Sequence, residues 1–201
     1  HLVPEGMVEL KYVPQQPQTP ADDDVRGYVI TSRPYLDLVF PNTPAAAGDV
    51  VSQLRLAAAP GEYEPVSFAV HASRELGSCR VSVSDLRQGN RTLGREAIQV
   101  AAVVCHNLRT SFRGKVFMNA PARLQVGSSV NIPAGRTQQF WLTVHVPPGT
   151  APGQYVGTVS LTPEEASATD LPLIVRVYPC ELADPEGVAL GMYDTLWSAR
   201  L

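Results

Sequence analysis

The chain is patterned with a period of two. From Arg136 to Val146, the residues Phe140, Leu142, Val144 and Val146 alternate with Trp141, Thr143 and His145. Successive side chains of an extended backbone point to opposite faces, so this pattern predicts a strand with one apolar face. Pro147-Pro148-Gly149 ends it, because proline cannot donate to a ladder. After the turn Thr150-Ala151-Pro152-Gly153 the alternation resumes. Tyr155, Val159 and Leu161 point one way, and Thr158, Ser160 and Thr162 the other. Two alternating runs separated by a Pro-Gly turn predict a hairpin. A third run, Leu171 to Tyr178, puts Leu171, Leu173, Val175 and Val177 on one face.

The first half repeats the theme. Val66, Phe68 and Val70 alternate with Ser67, Ala69 and His71, and Val81 and Val83 with Arg80, Ser82 and Ser84. Val50 to Leu56 and Ile98 to Val104 read as two further strands, the latter apolar on both faces and therefore central. Tyr28 to Ile30 and Tyr35 to Phe40 are shorter candidates. Eighteen prolines and 15 glycines leave few windows for three helical turns, and no βαβ unit is visible. The expectation is an all-β fold: an Ig-like or jelly-roll-type antiparallel β-sandwich of roughly eight to ten strands.

Two stretches break the pattern. Val13 to Asp24 is rich in Pro and Gln and ends in three acids, so residues 1–24 read as an exposed leader. Beyond Pro179 the alternation stops, and Met192-Tyr193 and Leu196-Trp197 form an apolar string. The division expected is a leader at 1–24, a sandwich at 25–180, and at 181–201 a linker with the start of a following domain.

Composition narrows the function classes. At 201 residues with 44% apolar content the chain can bury one good core. Sixteen basic against 19 acidic residues give a net charge of −3, with no basic cluster interleaved with aromatics. That argues against a nucleic-acid partner. No apolar run approaches the roughly 20 residues of a membrane helix, so no membrane partner is expected. The start, His1-Leu2-Val3-Pro4, has no basic region followed by an apolar core, so no signal peptide is read there. Low lysine with abundant Pro, Gly, Thr and Ser leans towards an extracellular or periplasmic β-domain. Cys79, Cys105 and Cys180 match no metal or redox spacing. They read as small buried hydrophobes, or as one disulfide with a leftover thiol.

No side-chain constellation argues for catalysis, a metal or a cofactor. Asp22-Asp23-Asp24 are consecutive, without the alternating oxygens and turn glycine of a calcium loop. His1, His71, His106 and His145 are scattered. His71 and His145 fall on polar strand faces, and His106 follows an apolar strand that it could cap. Glu62 and Glu64 on one strand face would stand about 7 Å apart, within the range of a glycosidase carboxylate pair. Glu62 follows the Pro60-Gly61 turn, however, and both read as turn-flanking surface acids. Glu164-Glu165 reads as a solvated loop. Asn90-Arg91-Thr92 fits an N-glycosylation pattern in a loop. Aromatic rings that pack against sugar C–H faces are offered by Trp141, Tyr28, Tyr35, Phe117 and Trp197. Trp141 lies opposite the core face, either as an exposed platform or packed beneath a loop or neighbouring domain.

Several phrases in order carry a resemblance: Ala59-Pro60-Gly61-Glu62-Tyr63-Glu64-Pro65-Val66-Ser67-Phe68, Ile132-Pro133-Ala134-Gly135, Gln139-Phe140-Trp141-Leu142-Thr143-Val144, and Val146 through Gly157. Across roughly residues 25 to 180 the chain resembles the N-terminal β-sandwich domain of glycoside hydrolase family 123-like proteins. The resemblance implies that a (β/α)8 catalytic barrel follows, and Leu190-Gly191-Met192-Tyr193 looks like its opening strand. The family's catalytic acidic pair belongs to that barrel, so no catalytic residue is carried over.

The expectation is therefore a non-catalytic accessory domain whose partner is the following domain of the same polypeptide. Trp141, Tyr193 and Trp197 are the candidate interdomain or sugar-contacting aromatics. The alternatives are a carbohydrate-binding module and an Ig-like structural or adhesion module with a protein partner.

Overall fold

The computed structural model of the chain describes residues 6–8, 25–111, 114–127, 129–180 and 182. These fold as thirteen strands: β1 (Gly6–Val8), β2 (Tyr28–Thr31), β3 (Leu54–Ala58), β4 (Tyr63–Ala72), β5 (Ser78–Val83), β6 (Leu86–Gln88), β7 (Arg91–Leu93), β8 (Ile98–Arg109), β9 (Val116–Val126), β10 (Ser129–Asn131), β11 (Thr137–His145), β12 (Gly153–Pro163) and β13 (Thr169–Val177). The first sheet runs β1-β9-β8-β11-β4-β2. The second runs β10-β5-β12-β13-β3, with β6 and β7 attached beside β12. The molecule is a β-sandwich.

The alternation explains the core. Phe140, Leu142, Val144 and Val146 are fully buried beneath the first sheet. They belong to one apolar cluster with Tyr155, Val159 and Leu161 of β12 and Leu171, Leu173, Val175 and Val177 of β13. Phe68 of β4 stacks on Phe140 with ring centroids 5.4 Å apart. Tyr28 is also fully buried, which removes it as a sugar platform. Its hydroxyl donates to the Ser167 carbonyl at 2.7 Å and accepts from the Thr169 hydroxyl at 2.7 Å. The edge of one sheet is thereby tied to the other.

Four sequence expectations are corrected. The turn after β11 does not close a hairpin: β11 pairs with β4 and β8, whereas β12 pairs with β13, β5 and β6. A hairpin would have put both apolar faces in one layer, and crossing sets them face to face over the core. Nor are the sheets wholly antiparallel, since β1–β9 and β3–β13 are parallel pairs. Tyr35 to Phe40 forms no strand: a turn opens it, with Asp37 N–H donating to Pro34 C=O, and Leu38 to Phe40 are irregular. Finally, thirteen strands exceed the eight to ten expected. The additions are the three-residue β1, β6, β7 and β10, too short to show a period, and β9. The eleven residues of β9 are largely polar or exposed, with Pro121 among them.

Within residues 1–24, expected as an exposed leader, Gly6–Val8 forms the edge strand β1 against β9, with Met7 and Val8 exposed. Asp22 to Asp24, Tyr193 and Trp197 lie outside the described residues.

Truncating Phe140 to Ala is expected to cost about 3–5 kcal/mol, the usual range for a buried aromatic. Tyr28→Phe should cost about 1–2 kcal/mol through the lost inter-sheet hydrogen bonds. Urea unfolding with an unchanged m-value measures both. A neutral Tyr28→Phe would show that this tie contributes nothing.

Candidate functional site

The odd-numbered residues of β11 face away from the core, onto the outer surface of the first sheet. One half of that surface is roofed by residues 32–46. Val39, Phe40 and Ala45 of this segment are buried with Val29, Ala69, Ala101 and Val103 of the sheet. All seven stand apart from the cluster between the sheets. Arg33 Nε holds Asp49 Oδ2 at 2.6 Å, anchoring the start of the roof. Ser32 Oγ donates to Ser67 C=O at 2.8 Å, and Thr137 N–H donates to Pro41 C=O at 2.9 Å.

A polar chain runs beneath the roof. Gln139 Nε2 donates to Ser67 Oγ at 3.0 Å, and the Thr137 hydroxyl donates to Thr43 C=O. With its proton committed there, the Thr137 hydroxyl accepts from His71 Nδ1 at 2.8 Å, so His71 carries its hydrogen on Nδ1. The alternation alone places His71 on the polar face of its strand, where solvent would be its neighbour. Under the roof it is partly buried instead, and desolvation lowers its pKa against the opposing pull of Thr43 C=O.

The other half of the surface is open. Its centre is Trp141, half-buried between Ser67 on β4 and Ala101 on β8. Tyr35 meets Trp141 edge-on at 5.9 Å and 78°. Next along the sheet lie Thr143, Pro65 and Gln99, in register. At the end, roughly 13 Å from Trp141 by strand rise, Tyr63 and His145 stack at 4.2 Å and 11°. Tyr63 is 66% exposed. The result is an aromatic strip with hydroxyl and amide groups between its ends.

The two carboxylates beside this strip, Glu62 and Glu64, do not stand together on one strand face. β4 starts at Tyr63, so Glu62 belongs to the preceding turn, where its Oε2 accepts from Ala59 N–H at 2.7 Å. Burial, helped by the charge of Glu62, pushes the Glu64 carboxyl upward. Glu164 is similarly occupied, accepting from Ser78 N–H at 3.3 Å.

The chain leaves the sandwich at this same end. Tyr178 N–H donates to Ala58 C=O at 3.0 Å and Leu182 N–H to Pro60 C=O at 3.4 Å. Tyr178 and Leu182 are thus held against the end of β3 and the turn from β3 into β4, at Pro60, three residues before Tyr63.

The remaining candidates are dispersed. His106 is not a cap: β8 runs on to Arg109, and His106 Nε2 accepts from Arg123 Nε at 3.0 Å. The cysteines are free thiols. Cys79 is buried, its thiol pushed up to about 11 by burial, Glu75 adding to the effect, whereas Cys180 is exposed and thus no core hydrophobe. Phe117 is half-buried on β9. Asn90 stands at the tip of the β6–β7 hairpin, after Gly89 at φ 59°. Among the described residues no group of three or more His, Cys, Asp or Glu could hold a metal ion, and no helix is long and apolar enough to cross a membrane.

The family model of the glycoside hydrolase 123 N-terminal domain matches residues 42–163. The chain belongs to that family. The matched span includes Tyr63, Trp141 and His145. A solved family 123 glycoside hydrolase from Clostridium perfringens, concerned with glycolipid glycan hydrolysis, aligns with a TM-score of 0.59 at 16% identity. The alignment covers 69% of this chain and 24% of that one, a likeness of fold, with this chain spanning about a quarter of that structure. Weaker likenesses are the PapD-like domain 7 of human CEP192 (TM-score 0.36, 10% identity, 87% of this chain and 99% of that one) and the sporulation control protein Spo0M of Bacillus subtilis (0.34, 12%, 78% and 50%). No curated protein matches the chain.

His71 gives the domain a calculable response to acid. Its folded-state pKa lies below the ordinary 6.5, so on acidification the unfolded chain takes up this proton first. The stability His71 contributes is complete above about pH 6.5 and is lost as pH falls through the lowered folded value. Urea midpoints measured across this range should fall on acidification. The decline should flatten in His71→Asn, whose amide can replace the Nδ1–H donor. An identical profile in that variant would assign the loss to other groups.

Proposed function

We propose that this glycoside hydrolase 123 N-terminal domain is a non-catalytic support for a larger extracellular or periplasmic hydrolase-like protein. In this reading it packs against the following catalytic barrel through the open half of its outer face. One observation carries the reading: the Leu182–Pro60 hydrogen bond holds the outgoing chain on the turn that leads directly into Tyr63, whose exposed ring stacks on His145. A domain that follows directly therefore begins next to an aromatic strip that it could cover. An open cleft of about 620 Å³, bordered by His145, Pro147, Tyr155 and Arg91, adjoins the stack and offers a seat for a protruding side chain. Tyr193 and Trp197, in the outgoing segment, are the apolar residues proposed to join the contact. Interfaces between domains of one chain typically cover about 600 to 1,500 Å², and covering Tyr63 and Trp141 suits that scale. Glu62 and Glu164 each hold a backbone N–H, which leaves them structural work rather than acid–base work.

Two measurements test this reading. The 201-residue chain should fold and hydrolyse no aryl glycoside, and turnover removed by substituting one of its own carboxylates would overturn the non-catalytic role. In a protein extended through its native reading frame beyond Leu201, the ring signals of Tyr63 and His145 should shift by NMR relative to the shorter chain. Tyr63→Ser combined with His145→Ser should separate the unfolding of the two units. Unshifted rings, or a reading frame that stops at Leu201, would overturn the docking.

A further inference from the structure

A second feature lies away from the aromatic strip, at the corner where the sandwich opens between the β8–β9 ribbon and β10 and the roof ends with Val39 and Pro41. The register of β8 shifts between Val104 and Cys105. Such bulges bend a strand away from its sheet and often re-aim side chains at functional positions. Inside the opening is a cleft of about 440 Å³, within the usual range for small-ligand sites.

Its lining departs from the rest of the core. Gln138 shares the inward parity of Phe140 and Leu142, where apolar residues otherwise stand. Gln125, paired with the inward-facing Ala102, is likewise turned to the inter-sheet side. Gln138 Nε2 donates to the carbonyls of Val103 at 2.9 Å and Gln139 at 2.8 Å. Both its hydrogens are then used and its rotamer is held, which leaves Oε1 as an acceptor. Gln125 shows the converse arrangement: its Oε1 accepts from Arg123 Nη2 at 3.3 Å, so its amino group is left as a donor. Among the described residues the side chains of Asn119 and Asn131, at the rim, make no hydrogen bond and offer both functions. No carboxylate lines the cleft, and Arg136 is its one charged lining residue. Burial pushes the Cys105 thiol upward, which keeps it protonated and uncharged.

We infer that this cleft binds an uncharged saccharide. Each sugar hydroxyl both donates and accepts, as a set of oriented amides requires. Gln138 is half-buried and Gln125, Asn119 and Asn131 are exposed, so the gain comes from one ligand replacing the water on several amides at once. An anionic ligand would find a single cation, and an apolar ligand would strand the amides. The site is separate from the aromatic strip and does not depend on the docking proposed above.

The test is an NMR titration of the 201-residue chain with lactose, N-acetyllactosamine and maltotriose, following the side-chain NH2 signals of glutamine and asparagine. At least one of the three sugars should shift the signals of Gln125, Asn119 and Asn131. Gln138→Leu, similar in size, and Asn131→Ala, on an exposed edge, should each weaken that binding about tenfold while the spectrum stays dispersed. The inference is overturned if none of the sugars moves these signals. It is equally overturned if the Trp141 indole responds instead, if sialyllactose binds while neutral sugars do not, or if both folded variants bind as the parent does.

Discussion

Two consecutive prolines decide how this molecule is assembled. β11 ends with Phe140, Leu142 and Val144 all on one side, and at Pro147 and Pro148 the backbone has no N–H to continue a ladder. Thr150 closes a turn on the Pro147 carbonyl, through its N–H at 3.2 Å and its hydroxyl at 2.6 Å. Gly149 and Gly153 then take positive φ values of 75° and 137°, a region that glycine enters without penalty. The chain therefore changes sheet. The faces of β11 and β12, which would have competed for one layer, become opposite walls of a shared core. Tyr155, at the start of β12, sends its hydroxyl back to Ala151 C=O at 3.0 Å and fixes the arch from its far side.

That crossing also determines what the first sheet can do with its other face. Because the core consumes the even positions of β11, the odd positions need a separate cover. Residues 32–46 supply it over half the sheet, using Val39, Phe40 and Ala45 for the apolar contact and Thr43 for the polar one. Thr137 donates to the roof while accepting from His71, so roof and sheet share one hydrogen-bond chain. The cover stops near Tyr35, which leans its edge on Trp141. From there to Tyr63 the face stays open, and the backbone of Leu182 is bonded to the turn that leads into Tyr63.

The fold class was legible because a period of two writes burial directly into the sequence. Every residue assigned to the inward face of β11, β12 and β13 is buried. What the pattern could not show was which strands pair. A Pro-Gly turn looks alike whether the chain returns to its own sheet or crosses to the other, and only the demand that both apolar faces meet decides it. Tyr35 to Phe40 misled for a related reason: Val39 and Phe40 are buried as a strand's would be, but between Pro34 and Pro41 they roof the sheet rather than join it. Trp141 was correctly placed opposite the core. His71 sat on the expected face, but the long-range cover that buries it left no local signal.

The inward glutamines raise a different point. Gln138 stands at the head of the run Phe140, Leu142, Val144, and a leucine there would extend the apolar stripe by one step. Sandwich corners are places where such a step is affordable, because the sheets diverge and the core thins. At this corner the amide is held rather than left loose, both hydrogens of Gln138 being committed to backbone carbonyls. Holding a long side chain costs rotamer entropy, about 1.5–2 kcal/mol for glutamine. Hydrogen bonds that merely replace water return little more than that. Stability alone therefore gives a weak reason to place an oriented amide on a core face. A polar wall facing an open corner, with its remaining acceptor and the neighbouring donors of Gln125 turned the same way, is better explained by what it can receive.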